Sequence, residues 1–121
     1  MTWTGEVEMK CRTKQRPRIK PGAHRAYMPK WYKPAKQALA WEVTALNPPY
    51  AAAGDVVLGV EIGVKGKGRG DDDNLLGFLL DALEGVLYAN DRQARVRALH
   101  PSGQVVIRNA GRDYIRLEIS S

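Results

Sequence analysis

Residues 56–93 read VVLGVEIGVKGKGRGDDDNLLGFLLDALEGVLYANDRQ. Val56, Leu58, Val60, Ile62 and Val64 alternate with Val57, Gly59, Glu61 and Gly63, the period of two that marks a strand, and one this apolar belongs in the middle of a sheet. VKGKGRGDDDN follows at 64–74, a glycine-rich basic loop too polar to pack, which delivers the chain to three consecutive acids. Leu75, Leu76, Leu79, Leu80, Leu83 and Val86 then fall at helical spacing, with Asp72 or Asp73 placed to cap the helix and Gly85 near its end. Beyond Asp91, alternating runs at Arg95–Leu99, Gln104–Arg108 and Tyr114–Ile119 predict strands, the first two joined by a turn at Ser102 and Gly103.

Upstream, Trp3, Gly5, Val7, Met9 and Cys11 alternate with polar residues, which predicts an edge or outer strand. From Arg12 to Pro34 the chain is basic and broken by Pro17, Pro21, Gly22, Pro29 and Pro34, and a loop is expected. Pro34 can open a helix in which Ala35, Leu39 and Val43, with Ala38 and Leu46 beside them, form the apolar face; Asn47-Pro48-Pro49 ends it. The whole predicts an α/β fold, one domain over residues 1–121, with a mixed β-sheet packed against two main helices.

Nineteen Lys and Arg against thirteen Asp and Glu give a net charge of +6, which favours polyanionic partners. Ten of those cations precede residue 37, where only Glu6 and Glu8 oppose them. Charge alone does not separate nucleic acid from membrane, but the first residues lack the apolar core of a secretory signal, and no stretch approaches the roughly 20 apolar residues that span a bilayer, so a soluble cytoplasmic protein is expected. Cys11 is the single cysteine, which excludes an internal disulfide and a thiolate cluster within one chain; a buried, unreactive residue is expected there.

Asp71-Asp72-Asp73 before a helix and Asp91 after it are oxygen donors of the kind a hard cation such as Mg²⁺ selects. Alternatively these acids only cap the helix and complement its dipole, worth about 0.3–1 kcal/mol per charge. One cap suffices for that, and three adjacent acids repel one another unless cations such as Lys65, Lys67 and Arg69 neutralise them. Acidic metal ligands in a basic surface suit phosphoryl chemistry on nucleic acid. Tyr27, Trp31 and Tyr32, interleaved with cations in HRAYMPKWYKPAK, would either stack on exposed bases or close the loop over the sheet edge. His24 and His100 lie far from the acids in sequence and receive no role, and nothing ranks Arg95, Arg97, Arg108, Arg112 and Arg116 beyond solvated strand faces or phosphate contacts.

The run DDDNLLGFLLDALEGVLYANDRQ resembles the signature D-x-D-N-L-x-K-x-x-x-D-A-L followed by D-D-x-Q of the RusA-like Holliday-junction resolvases, with matching spacing, and KQRPR at 14–18 is similar to that family's R-P-R element. The resemblance implies a RusA-like fold and a homodimeric Mg²⁺-dependent endodeoxyribonuclease, with Mn²⁺ as substitute, that nicks four-way DNA junctions symmetrically in recombination and repair. It implies that Asp71, Asp73 and Asp91 are the metal-binding catalytic acids, holding metal that activates water for in-line attack and leaves 3′-hydroxyl and 5′-phosphate ends. Asn74, Leu75 and Asp81 match the supporting helix, and Lys14, Arg16, Arg18, Lys65, Lys67 and Arg69 would bind DNA phosphates.

Two positions depart from the pattern. Asn90 replaces the first acid of the D-D pair, which leaves the matched ligand intact. Gly77 stands where the family carries a catalytic lysine, and glycine inside a helix costs about 1 kcal/mol relative to alanine. Either Lys65, Lys67, Arg69 or Arg92 replaces the lost charge, or cleavage is weak. Two rivals therefore stand beside the nuclease: a junction-binding protein that has lost efficient cleavage, and a basic RNA-associated structural protein whose acids only cap a helix.

Overall fold

The computed structural model describes residues 2–15, 18, 19, 22, 26–68 and 70–120. The chain forms β1 (Thr2–Val7), β2 (Arg18–Ile19), β3 (Ala26–Tyr27), α1 (Tyr32–Thr44), β4 (Val56–Gly63), α2 (Asp72–Ala82), a 3₁₀ turn (Asp91–Gln93), β5 (Ala94–Ala98), β6 (Val106–Ile107) and β7 (Tyr114–Ser120). Among the described residues the main sheet has five strands in the order β1-β7-β4-β5, with β6 also on β4. β7 runs antiparallel between β1 and β4, while β5 and β6 run parallel to β4, so the sheet is mixed and β4 is central, as its composition predicts.

Ser102 and Gly103 do lie in a turn, closed by Gly103 N–H donating to His100 O at 3.0 Å. The strands on either side of it do not fold back on each other. β5 follows Val56–Val60 and β6 follows Ile62–Gly63 along the same edge, like one strand with a jog. The loop expected over Arg12–Pro34 also holds structure: β2 and β3 pair antiparallel, Arg18 opposite Tyr27, and α1 begins at Tyr32, before Pro34.

Leu58, Val60, Ile62 and Val64 are buried, as are Ile115, Leu117 and Ile119 of β7, and this apolar set joins Tyr32, Leu39 and Val43 of α1 and Leu75, Phe78, Leu79 and Ala82 of α2 in one core. Leu39 and Val43 take their expected inward places, but Ala38 is exposed and Leu46 is 37% exposed, because α1 meets α2 through a narrower stripe. In α2, Phe78 and Ala82 turn fully inward while Leu76, Leu80 and the following Val86 are only half-buried, so the face is rotated from the one the leucines alone suggest.

The other face of β4 carries Gly59, Glu61 and Gly63. A β-carbon on Gly63 would fall 2.0 Å from Cε1 of Tyr114, so glycine there lets the ring lie flat on the strand. That ring brings its hydroxyl to Oε2 of Glu61 at 2.5 Å, and Arg116 Nη1 lies 3.5 Å from Oε1, which pairs a carboxylate only 4% exposed. Between the helices, Tyr32 Oη donates to Asp81 Oδ2 at 3.0 Å and Lys36 Nζ reaches the same oxygen at 3.1 Å, with Tyr32 edge-on to Phe78. These contacts fix α2, and therefore the acids at its start, against the rest of the fold.

Candidate active site

β4 ends at Gly63, and the glycine-rich segment after it carries the chain to the N-terminal end of α2. One side chain organises that segment. Arg108 donates from Nη1 to Lys67 O at 2.5 Å and from Nη2 to Gly70 O at 2.9 Å, and the same Nη2 pairs with Asp72 Oδ1 at 2.9 Å. Arg108 is therefore a loop clamp, and nothing local in the sequence singles it out.

The cap of α2 is Asp71 and not Asp72 or Asp73, and no side chain makes a capping hydrogen bond there. Capping thus does not account for the triplet. Asp72 is held by Arg108, while Asp71 and Asp73, the two acids on either side, are exposed and form no ion pair among the described residues. The arrangement leaves two hard oxygen donors at the positive end of a helix dipole, beside a basic loop.

Asp91 lies at the other end of α2. Its backbone N–H donates to Glu84 Oε1 at 3.0 Å, just past the helix C-terminus, and β5 then pairs with the first residues of β4. Burial pushes the Tyr88 hydroxyl above its ordinary range, and the negative charges of Asp91, Glu84 and Asp81 push it further. Those three acids therefore surround the C-terminal end of α2. From Asp72 to Ala82 a helix rises about 15 Å, and that length separates Asp91 from Asp71 and Asp73. Among the described residues no group of three or more His, Cys, Asp or Glu is gathered closely enough to hold a metal ion.

The segment around Asp91 is rigidly built. Asn90 accepts from Arg92 N–H at 2.9 Å, and Gln93 Oε1 accepts from the N–H groups of Ala89 and Asn90 at 3.0 and 2.9 Å. Gln93 Nε2 donates in turn to Ala51 O and Gly54 O at 3.1 and 2.9 Å. The pattern N-D-x-Q thus presents Asp91 from a capped turn tied to the start of β4.

The cations sort into two sets. Arg97 pairs with Glu118, Arg95 with Asp55, Arg112 with Glu6 and Glu8, and Arg116 with Glu6 and Glu61, so these arginines are engaged within the protein. Lys14, Lys65 and Lys67 are exposed and form no ion pair among the described residues. Arg16, Arg69 and His24, and the side chain of Arg18, lie outside the described residues. A recess of about 440 Å³ is bordered by Lys10, Arg12, Thr13, Trp31, Leu75 and Asp113, with Arg12 stacked 4.3 Å above the Trp31 ring. Tyr32 is only 2% exposed and cannot stack on a base, whereas Tyr27 remains 41% exposed.

A family model for the endodeoxyribonuclease RusA matches residues 8–118. The chain belongs to the RusA family. No curated protein matches it significantly. Membership places it among the Holliday-junction-resolving endonucleases, and its mixed sheet with two helices is the α/β fold that the resemblance implies. Within that family the departure at Asn90 has a structural account, because an amide oxygen caps the 3₁₀ turn as a carboxylate would. Asp81 serves as the anchor between α1 and α2. Cys11 is buried as expected, and burial pushes its thiol up to about 12. No helix among the described residues is long and apolar enough to cross a membrane. The buried Glu61 was visible in the sequence as the lone charge in an apolar strand; its partner Tyr114, far along the chain, was not.

Proposed function

We propose that this RusA-family protein is a homodimeric Mg²⁺-dependent endonuclease, with Mn²⁺ as substitute, that nicks two strands of a four-way DNA junction symmetrically in recombination and repair. The observation that carries the reading is the exposed Asp71 and Asp73, which form no ion pair among the described residues, beside a clamped basic loop, with Asp72 turned away to Arg108. Carboxylates two residues apart at a helix start are hard oxygen donors and suit half of a Mg²⁺ site. Asp91 is the third donor in the motif, and its place at the far end of α2 means that it would join them only from a second copy. Each dimer would then hold two sites, each built from Asp71 and Asp73 of one chain and the partner subunit's Asp91. When bound, Mg²⁺ would polarise the phosphate and promote attack by water, leaving 3′-hydroxyl and 5′-phosphate ends.

The protein's own residues do the rest. Lys65 and Lys67 hold backbone phosphates on the loop that Arg108 keeps in shape. Arg12 and Trp31 border the recess that Leu75 of α2 also lines, where an unstacked base of the branch point would lie. Tyr32, Lys36 and Asp81 fix the helix so that Asp73 keeps its place.

The test uses a labelled synthetic junction with Mg²⁺. The parent gives paired nicks, Asp73→Asn gives none, and Asp72→Asn retains most activity because that acid serves the loop. Cleavage by Asp73→Asn at the parental rate would refute the assignment. Tight, salt-sensitive junction binding by a parent that yields no products would favour the rival, a binding protein, which Gly77 motivates.

A further inference from the structure

Residues 11–15 run along α2, and their bonds fix the track. Cys11 Sγ donates to Leu75 O at 3.3 Å and Lys14 N–H to Asn74 O at 2.9 Å. The Gln15 backbone N–H reaches the Tyr32 hydroxyl that bonds Asp81. Between those points the stem of Lys14 crosses the helix at Gly77. A β-carbon on residue 77 would lie 3.0 Å from Cδ of Lys14, 3.5 Å from Cβ and 3.9 Å from Cγ. Gly77 has no positive φ, so its backbone does not require glycine. Glycine weakens a helix interior, and what its bare backbone provides here is a seat for the lysine.

Two bonds past Cδ comes the ammonium. Gly77 is one turn along from Asp73, on the same face of the helix. Neither Lys14 nor Asp73 forms an ion pair among the described residues, although they are neighbours in a protein where most strand arginines are paired. A cation and the Asp73 carboxylate, neither ion-paired among the described residues, then share one helix face below the Asp71 cap, where a phosphate would sit.

We propose that Lys14 is a catalytic residue whose ammonium contacts a non-bridging oxygen of the scissile phosphate and stabilises the charge that develops there. The assignment rests on the nuclease reading above. Lys14 stays protonated throughout: water adds its oxygen to phosphorus, the P–O3′ bond breaks, one water proton ends on O3′ and the other passes to solvent. It also accounts for the departure at position 77, since the charge arrives from the neighbouring segment through the space that glycine leaves. Lys65, Lys67, Arg69 and Arg92 are then not needed for that role.

Single-turnover nicking and junction affinity, measured on the same preparations, test it. Lys14→Met keeps the stem and removes the charge; its cleavage rate falls by about a hundredfold while affinity changes by less than about threefold. The double variant Lys14→Ala/Gly77→Lys returns the cation on the helix itself and recovers to within about tenfold of the parent. Circular dichroism and melting temperature confirm that each variant is folded. Parental cleavage by Lys14→Met, a loss of affinity alone, or a folded double variant no faster than Lys14→Ala overturns the assignment while the nuclease reading stands. A parent that yields no product with Mg²⁺ or Mn²⁺ overturns the nuclease reading and the role of Lys14 with it.

Discussion

Mixing two inactive variants should restore cleavage. Ligands of one Mg²⁺ sit about 2.0–2.1 Å from it, so two oxygens bound to the same ion are at most about 4.2 Å apart. The length of α2, about 15 Å, stands between Asp91 and the other two acids. If a site is completed across the dimer, Asp73→Asn and Asp91→Asn are each inactive as homodimers. A mixed dimer concentrates both substitutions in one site and leaves the other intact. Random reassortment makes about half the molecules mixed, each with one working site of two, so the mixture recovers about a quarter of parental nicking. Differently tagged chains, refolded together, are assayed on the labelled junction, and the fraction purified through both tags, all mixed dimers, recovers about half of parental nicking. The reciprocal mixture is equally diagnostic: parent with Asp73→Asn/Asp91→Asn yields mixed dimers with no intact site. A doubly tagged Asp73→Asn and Asp91→Asn dimer as inactive as either parent homodimer would show that each chain builds its own site.

Asp81→Ala strips the Tyr32 hydroxyl and the Lys36 ammonium of a shared acceptor and costs about 1–3 kcal/mol, readable as a lower urea midpoint with unchanged slope. Arg108→Ala releases Lys67, Gly70 and Asp72 together; cleavage falls more steeply than thermal stability, and hydrogen exchange over residues 65–70 rises. Cys11 stays unmodified by a thiol reagent in the folded protein and reacts fully in denaturant, and its early labelling would contradict its burial. Cys11 and Tyr32 are pushed from 9.0 and 10.0 up to about 12, so the folded chain holds these protons more tightly than the unfolded one. Their contribution to stability is complete below pH 9.0 and is lost as pH rises toward about 12, which denaturant midpoints at about pH 8 and about pH 10.5 would register.

β4 and α2 were legible because burial imposes a period of two on one and of 3.6 on the other. The rotation of α2 was not, since Phe78 and Ala82 are drawn inward by Tyr32 and the sheet, partners distant in sequence. β2 and β3 are two residues each, too short for any periodicity to register. That β6 continues the edge begun by β5 depends on pairing with Ile62 and Gly63, which no local pattern encodes. In the site, the sequence offered the acidic triplet and the family resemblance singled out Asp71 and Asp73 within it, but the jobs of Arg108 and Lys14 arise from contacts between segments far apart in the chain.

The separation of Asp91 was, in contrast, implicit in the sequence. A helix carries its ends apart by its own length, so an acid at its start meets one beyond its end only if the chain retraces it. Here it does not: Leu83, Gly85 and Tyr88 close tight turns, Ala51 pairs with the same segment, and Gln93 ties the next turn to Gly54 before β5 begins. A return of that kind leaves no slack to bring Asp91 back to Asp73 within one fold. Shared ligation by the three acids therefore demands a two-fold operator that sets the N-terminal end of one α2 near the C-terminal end of the other. The same operator would set two sites in a symmetric pair, as symmetric nicking of a four-way junction requires.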